Sequence, residues 1–136
     1  MGIFGGRGTL VAPSGGVHAK RGRIAVGAVA KVIEDLRARG GLSGVDLANV
    51  TDVSKATVSR WSTGKAAPRP ETQLVLSDLR YVVDCLSEFY AADETRVWLY
   101  SRNALLGGAR AMDLIREGRA ERVVGAIERL GSLAYL

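Results

Sequence analysis

The sequence predicts an all-α fold, and three of its features point to it. From Arg23 onward, apolar residues recur at steps of three and four, which is the period of an amphipathic helix. Serines able to cap a helix, Ser43 and Ser54, precede two of these segments, and glycines end two of them, at Gly40-Gly41 and at Gly64. Alternation of apolar and polar residues, typical of strands, is absent. Short helices joined by tight turns are therefore expected.

The composition is that of an ordinary globular protein. Of the 136 residues, 47% are hydrophobic and 24% charged, which favours one domain, or two very small ones that share a core. The charge is unevenly distributed: residues 1–33 carry five basic side chains and no acid, while residues 34–136 carry 14 of each. The excess of basic side chains in residues 1–33 favours a polyanionic partner such as nucleic acid.

Several classes of protein are excluded by composition. No apolar run approaches the roughly 20 residues of a membrane helix, and no secretion signal is recognisable. A single cysteine, Cys85, and a single histidine, His18, cannot build a disulfide framework, a multi-histidine metal site or a His-based triad. We therefore expect a cytoplasmic binding protein without cofactor or metal, rather than an enzyme.

Residues 1–22 contain seven glycines. The run 5–8, Gly-Gly-Arg-Gly, has a likeness to a phosphate-binding loop, but no Gly-Lys-Ser/Thr follows and no strand context is evident. Since glycine-rich segments behave as random coils, this segment is interpreted as a flexible basic leader.

Three helices are expected between residues 23 and 70. The first ends at Gly40-Gly41, and its apolar face follows the helical period (Ile24, Ala28, Val29, Val32, Ile33, Leu36). Ser43 is expected to cap the second helix. The third is capped by Ser54 and stops at Gly64, before two prolines break the chain.

The longest predicted helix covers residues 72–91, with one apolar face (Val75, Leu79, Val82, Val83, Leu86, Phe89, Tyr90). Cys85 within it is interpreted as a core or boundary residue rather than a reactive thiol. Asp93 is expected to cap a short helix, Asn103 to cap the segment that follows, and Gly107 to allow a turn. Two further helices are expected over 112–117 and 123–130.

Residues 47–61 carry the pattern of a helix-turn-helix. Ala48 supplies the small residue needed where two helices cross, and Val53 is the apolar turn residue. Ser54 caps the second helix, whose inner face holds Val58 and Trp61. Trp61 is interpreted as a core residue rather than as a platform on which a base stacks.

The outer face of that second helix is short and basic, which suits contacts with phosphates and base edges. We predict that DNA binds along it, through Ser54, Lys55, Ala56, Thr57, Ser59 and Arg60. A plain helical hairpin is the alternative, because apolar spacing alone indicates only packing. Asp52 stands where glycine is usual; aspartate tolerates left-handed backbone, but its charge is expected to weaken the attraction to phosphates.

Two sets of motifs resemble known families. The stretch 59–64, Ser-Arg-Trp-x-x-Gly, resembles the Xre/Cro-like repressor class. The downstream half resembles the toxin-binding domain of the Xre/MbcA/ParS family, through a succession of short motifs (Val97-Trp98-Leu99, Asn103, Leu105-Leu106-Gly107, Met112-Asp113-Leu114-Ile115, Gly118, Glu121, Val123, Val124). Arg102 and Ala111 stand where that family usually has proline, which affects loop geometry rather than the fold.

The resemblance implies an antitoxin of a type II toxin–antitoxin system. Its parts are a flexible leader (1–22), a helix-turn-helix DNA-binding domain (23–70) and a helical toxin-binding domain (71–136). The implied partners are a RES-domain toxin that consumes NAD and the operator DNA of the shared operon. A homodimer within a toxin–antitoxin hetero-oligomer is expected, because one helix-turn-helix reads only a half-site; the first helix and helix 72–91 are candidate dimer surfaces.

The resemblance also implies that the chain end obstructs the toxin's active-site cleft. The predicted toxin-binding residues are Leu133, Ala134, Tyr135 and Leu136. The terminal carboxylate is expected to occupy a site made for the phosphates of NAD. The alternative is that Leu133 and Tyr135 fold back onto the core, because an apolar tail is costly to expose to water.

Two other functions compete with this interpretation. A stand-alone DNA-binding regulator would use its C-terminal helices for dimerisation or ligand sensing, and no toxin would co-purify with it. An enzyme would need a nucleophile–base pair, metal ligands or a phosphate loop, and the sequence shows none of these. Six arginines of the C-terminal half are expected to be mostly solvated surface (Arg102, Arg110, Arg116, Arg119, Arg122, Arg129), with one or two available to acids on a partner.

Overall fold

The structure, a computed structural model, describes residues 28–133. The all-α prediction is confirmed, because seven α-helices make up most of this part of the chain (α1 Val29–Gly40, α2 Gly44–Thr51, α3 Lys55–Ser62, α4 Pro70–Leu86, α5 Ala92–Tyr100, α6 Ala111–Arg116, α7 Ala120–Leu133). The predictions for the leader, for His18 and for the start of the first helix lie outside the described residues, as do those for Ala134, Tyr135 and Leu136.

A left-handed glycine separates α1 from α2. Gly41 has φ +65° and donates its N–H to the carbonyl of Leu36. A side chain would not fit, because a Cβ here would lie 2.8 Å from the carbonyl oxygen of Ala92. Ser43 caps α2 as predicted: its hydroxyl accepts the N–H of Asp46 at 3.2 Å, and the Asp46 carboxylate accepts the N–H of Ser43 at 2.7 Å.

The long helix ends earlier than its periodicity predicts. α4 begins with Pro70, which suits the first helical position, and ends at Leu86 rather than near residue 91. The N–H groups of Phe89 and Tyr90 both donate to the carbonyl of Leu86 at 2.9 Å, so the chain leaves the helix axis. Both rings still pack against the core, which is why their spacing resembled a helix face.

The prediction that Asp93 caps the following helix is wrong. Ala91 occupies the N-cap position of α5, and its N–H donates to the carboxylate of Glu94 at 2.9 Å. Asp93 lies inside the first turn, where it accepts the N–H of Glu94 at 3.0 Å. Both acids stabilise the positive end of the helix dipole from within the helix.

A two-stranded antiparallel sheet, absent from the sequence prediction, lies between α5 and α6. β1 (Arg102–Asn103) pairs with β2 (Ala109–Arg110) around a 3-10 turn over Ala104–Leu106. Asn103 caps this turn as predicted, accepting a backbone N–H at 2.8 Å, and Gly107 has φ +67°. Strands of two residues are too short to show alternation in a sequence.

One hydrophobic core joins the two halves of the described chain. α4 is central to it and packs against α1, α2, α6 and α7. Leu47, Leu79, Leu99 and Ile127, from four different helices, have no exposed surface. Cys85 is buried in this core as predicted, and burial raises the pKa of its thiol to about 12.

Candidate functional site

The helix-turn-helix predicted over residues 47–61 is present in α2 and α3. Asp52 adopts left-handed backbone at φ +60°, the one non-glycine residue to do so in the described part of the chain. Val53 donates its N–H to the carbonyl of Ala48 at 2.9 Å, so the turn is tied to the point where the helices cross. Aspartate therefore replaces glycine without loss of the turn.

One face of α3 belongs to the core. Val58 is 1% exposed and Trp61 is 3% exposed, which confirms that Trp61 is a core residue. Ser54 caps the helix as predicted, since its hydroxyl accepts the N–H of Thr57 at 3.1 Å. The hydroxyls of Ser54 and Thr57 lie 2.9 Å apart and form a hydrogen bond in the first turn of the helix.

The opposite face of α3 is open to solvent. Lys55, Ala56, Ser59 and Arg60 are exposed and Thr57 lies at the margin, as predicted. Within residues 28–133, no carboxylate lies within 4.0 Å of Lys55 or Arg60. Their contact with DNA stays a prediction, and their exposure and charge are those that phosphate contacts require.

A cavity of about 660 Å³ lies between α3 and α1. Polar and charged side chains from both helices line it, three of them basic and one, Glu34, acidic (Lys31, Glu34, Arg37, Lys55, Ser59, Ser62). Arg37 lies over the start of α2, because a Cβ on Gly44 would be 2.9 Å from its Nη2 atom. The basic surface of α3 thus continues onto α1, a contribution that the helix-turn-helix pattern alone did not include.

A residue from the C-terminal half faces the helix-turn-helix turn. Nη2 of Arg116, the last residue of α6, lies 3.5 Å from Oδ1 of Asp52. Their side chains are 55% and 85% exposed, so this ion pair contributes little to stability. The ion pair does place the positive charge of Arg116 beside Asp52, the acid whose negative charge is expected to weaken the attraction of α3 to DNA phosphates.

Asp46 is a buried acid that connects α2 to the C-terminal half. Its carboxylate accepts hydrogen bonds from the hydroxyl of Tyr100, at 2.7 Å, and from the guanidinium of Arg96, both on α5. The Arg96 guanidinium also lies 4.8 Å from the centre of the Tyr100 ring, within cation–π range. Sequence analysis missed this cluster, because its members are 50 and 54 residues apart.

The protonation states in this cluster favour the bonds observed. Burial raises the pKa of Asp46, but the hydrogen bonds from Arg96, Ser43 and Tyr100 outweigh it and lower the pKa to about 2. Burial, followed by the bond to Asp46, raises the pKa of Tyr100, so its hydroxyl remains a donor at neutral pH. Asp46 is consequently an ionised acceptor over the physiological range.

The predicted toxin-binding residues lie at the edge of the described chain. α7 ends at Leu133, and Ala134, Tyr135 and Leu136 lie outside the described residues. Their role, and the alternative that they fold back, stay predictions. α7 itself packs on α4 and α6, so the core fixes the helix from which the tail continues.

Residues 28–133 contain neither a metal-binding cluster nor a membrane-spanning helix. No three histidine, cysteine, aspartate or glutamate side chains in this range are placed to hold a metal ion. No helix in the same range has the length and apolar character to cross a membrane.

The chain is similar to known proteins over most of its length. Residues 28–97 match the family model described as a helix-turn-helix domain. The mycobacterial cidal antitoxin MbcA of Mycobacterium tuberculosis is 31% identical over 111 residues, which are 82% of this chain and 98% of that protein. A probable mycobacterial cidal antitoxin of the same species is 38% identical over 96 residues, covering 71% of this chain and 82% of that protein.

A solved structure has the same fold. A chain in the crystal structure of the M. tuberculosis MbcT–MbcA toxin–antitoxin complex matches with a TM-score of 0.69 and 30% identity. The match covers 79% of this chain and 96% of that one.

Proposed function

The chain belongs to the family of MbcA-like helix-turn-helix antitoxins, and from this premise we propose that it blocks a NAD-consuming RES-domain toxin and represses its own operon. It acts as a binding protein, with a toxin and operator DNA as partners in the bacterial cytoplasm. The leader 1–22 is assigned no role. Residues 23–70 bind DNA, and residues 71–136 bind the toxin.

The match to a chain of the MbcT–MbcA complex is the observation that carries the toxin partner. It covers 96% of that chain, so the likeness is not confined to the helix-turn-helix, a motif that many DNA-binding proteins share. The motifs between Val97 and Val124 support the same conclusion. They lie in α5, the small sheet, α6 and α7.

The outer face of α3 supports repression. Lys55 and Arg60 are exposed cations without a described acidic partner, and Ser54 and Thr57 fix the helix start beside them. The groove towards α1 adds Arg37 to the same basic surface. Since one such surface reads a half-site, the functional species is a homodimer within the toxin–antitoxin assembly.

The chain end blocks the toxin. Leu133, the last residue of α7, and the following residues Ala134, Tyr135 and Leu136 enter the active-site cleft, where the terminal carboxylate takes the place of a phosphate of NAD. A carboxylate and a phosphate accept hydrogen bonds from the same cationic donors, which makes the substitution chemically reasonable.

Deletion of residues 132–136 tests this mechanism. The truncated protein should no longer protect cells from the toxin, whereas a control with Leu133→Ala alone should protect partly. If the truncated chain binds and fully silences the toxin, the tail does not act as the block. Far-ultraviolet circular dichroism should match in both chains, because the core-facing residues of α7 remain in place.

A further inference from the structure

Two arginines lie directly opposite each other in the small sheet. Arg102 of β1 is the register partner of Arg110 of β2, so their side chains project from the same face of the ribbon. Like charges at directly opposite positions destabilise a strand pair. The folded chain by itself therefore gains nothing from this arrangement.

A third arginine reaches the same hairpin from α7. Nη2 of Arg122 donates to the carbonyl of Leu106 at 3.3 Å, and Nη1 of Arg102 donates to the carbonyl of Gly108 at 3.2 Å. Two of the three guanidinium groups are thus held at the hairpin by backbone oxygens. Each guanidinium has five N–H donors, so most of these donors stay available.

Acidic partners are scarce around these three side chains. Within residues 28–133, no carboxylate lies within 4.0 Å of Arg102 or Arg122. The Asp113 carboxylate reaches Arg110 at 3.9 Å, and both side chains of that pair are about half exposed. The nearby Arg116 and Arg119 lie closer to acids than Arg110 does, at 3.5 Å from Asp52 and 3.6 Å from Glu117.

We propose that Arg102, Arg110 and Arg122, here called the arginine surface, dock onto carboxylates on the toxin. This proposal rests on the proposed function and adds a second contact to the tail. Guanidinium groups bind carboxylates through two parallel hydrogen bonds. A partner's carboxylates would also offset the repulsion between Arg102 and Arg110, so this strand pair would be more stable in the complex than in the free chain.

The position of the hairpin favours the toxin over DNA as the occupant. The hairpin packs on α6 and α7, whereas the cavity beside the candidate DNA-binding face is lined by residues of α1, α2 and α3. Arg116 of α6 does reach the helix-turn-helix turn, but it is not part of the arginine surface. Arg122 and Leu133 lie near opposite ends of α7, about 16 Å apart at 1.5 Å per residue. One globular protein that receives the tail can span that distance.

The test measures the Kd of the full-length chain for the purified toxin of the same operon, by calorimetry at two salt concentrations. Arg102→Glu should weaken toxin binding about tenfold, with a smaller dependence on salt than in the wild type. The matched control is Arg69→Glu, at an exposed position directly before α4, which changes the net charge equally and should bind toxin as the wild type does. Arg102→Lys should recover part of the affinity.

Thermal unfolding separates docking from a structural role. Arg102→Glu creates an oppositely charged pair with Arg110, so its Tm should be no lower than that of the wild type. A lower Tm together with weaker binding would overturn the proposal, as would unchanged toxin binding. The proposal would also be overturned if Arg102→Glu lost operator binding and kept toxin binding, because the arginine surface would then bind DNA. If the wild-type chain itself fails to bind the toxin, the proposed function falls, and the docking proposal falls with it.

Discussion

The hydroxyl of Tyr100 donates a 2.7 Å hydrogen bond to Oδ1 of Asp46, and this bond fastens the helix-turn-helix to the C-terminal half. The other oxygen of Asp46 accepts the N–H of Ser43, which caps α2, and the guanidinium of Arg96. One buried carboxylate therefore orients α2 and joins it to α5. A displacement of α5 would therefore strain the hydrogen bonds that hold Asp46.

The pH dependence of stability should report on Asp46. Its pKa of about 2 in the fold lies below the ordinary value of 3.8, so its ionised form stabilises the fold above pH 4 and that stabilisation is lost as pH falls towards 2. Between pH 6 and pH 2, the free energy of unfolding should fall by about 2 kcal/mol more in the wild type than in Asp46→Asn. Urea denaturation at each pH measures this difference.

The control for that series is Asp113→Asn, which removes an exposed acid from α6. This variant keeps Asp46 and its three partners, so the loss of stability that Asp46 causes between pH 6 and pH 2 should be retained. Parallel profiles for the wild type and Asp46→Asn would mean that the carboxylate is not held by its three partners.

Gly41 should be the least replaceable of the left-handed glycines in loops. Gly41→Ala combines positive φ with a Cβ 2.8 Å from the carbonyl oxygen of Ala92, and should lower the free energy of unfolding by about 3 kcal/mol or more. Gly64→Ala has similar φ but open space around it, and should cost about 1–2 kcal/mol. Chemical denaturation of both variants checks the difference; equal losses would show that the contact between Gly41 and α5 is loose.

Local signals in the sequence predicted local structure well. Ser43, Ser54 and Asn103 cap the turns expected of them, and Asp52 adopts left-handed backbone, because each acts on residues two or three positions away. The candidate DNA-binding face followed from the same information, since the inward spacing of the apolar residues defines which face of α3 is left outside.

The features that sequence analysis missed depend on distant residues. Asp46 looks like an ordinary first-turn acid until α5 brings Tyr100 and Arg96 to it. Phe89 and Tyr90 continue the apolar spacing of α4, but the helix has already ended at Leu86. Their rings pack against the core from the turn that follows. The arginine surface needs two strands too short to be recognised in a sequence.

Arg60 should matter for operator DNA and not for the toxin. Arg60→Ala removes an exposed cation from the outer face of α3, so operator binding should weaken about tenfold while toxin neutralisation is unchanged. Gel shifts at matched salt measure the first effect, with Arg129→Ala on α7 as the control. Wild-type gel shifts from Arg60→Ala would remove Arg60 from the DNA-binding surface.

Asp52→Asn should strengthen operator binding. Asparagine tolerates left-handed backbone as aspartate does, so the turn is kept while a negative charge beside α3 is removed and Arg116 is released from its ion pair. We expect about threefold tighter binding at low salt and little change at high salt, where exposed charges are screened. Fluorescence anisotropy with labelled operator measures both, and Asp93→Asn on α5 is the matched control. Unchanged binding at low salt would place Asp52 away from the phosphates, and weaker binding would show that its ion pair with Arg116 supports DNA binding.

The most direct test of the antitoxin function is the NAD content of cells that express the neighbouring gene of the same operon, with and without this chain. NAD should collapse when the neighbouring gene is expressed alone and recover when the two are expressed together. If NAD does not fall, or falls equally in the presence of this chain, the proposed block of a NAD-consuming toxin is contradicted.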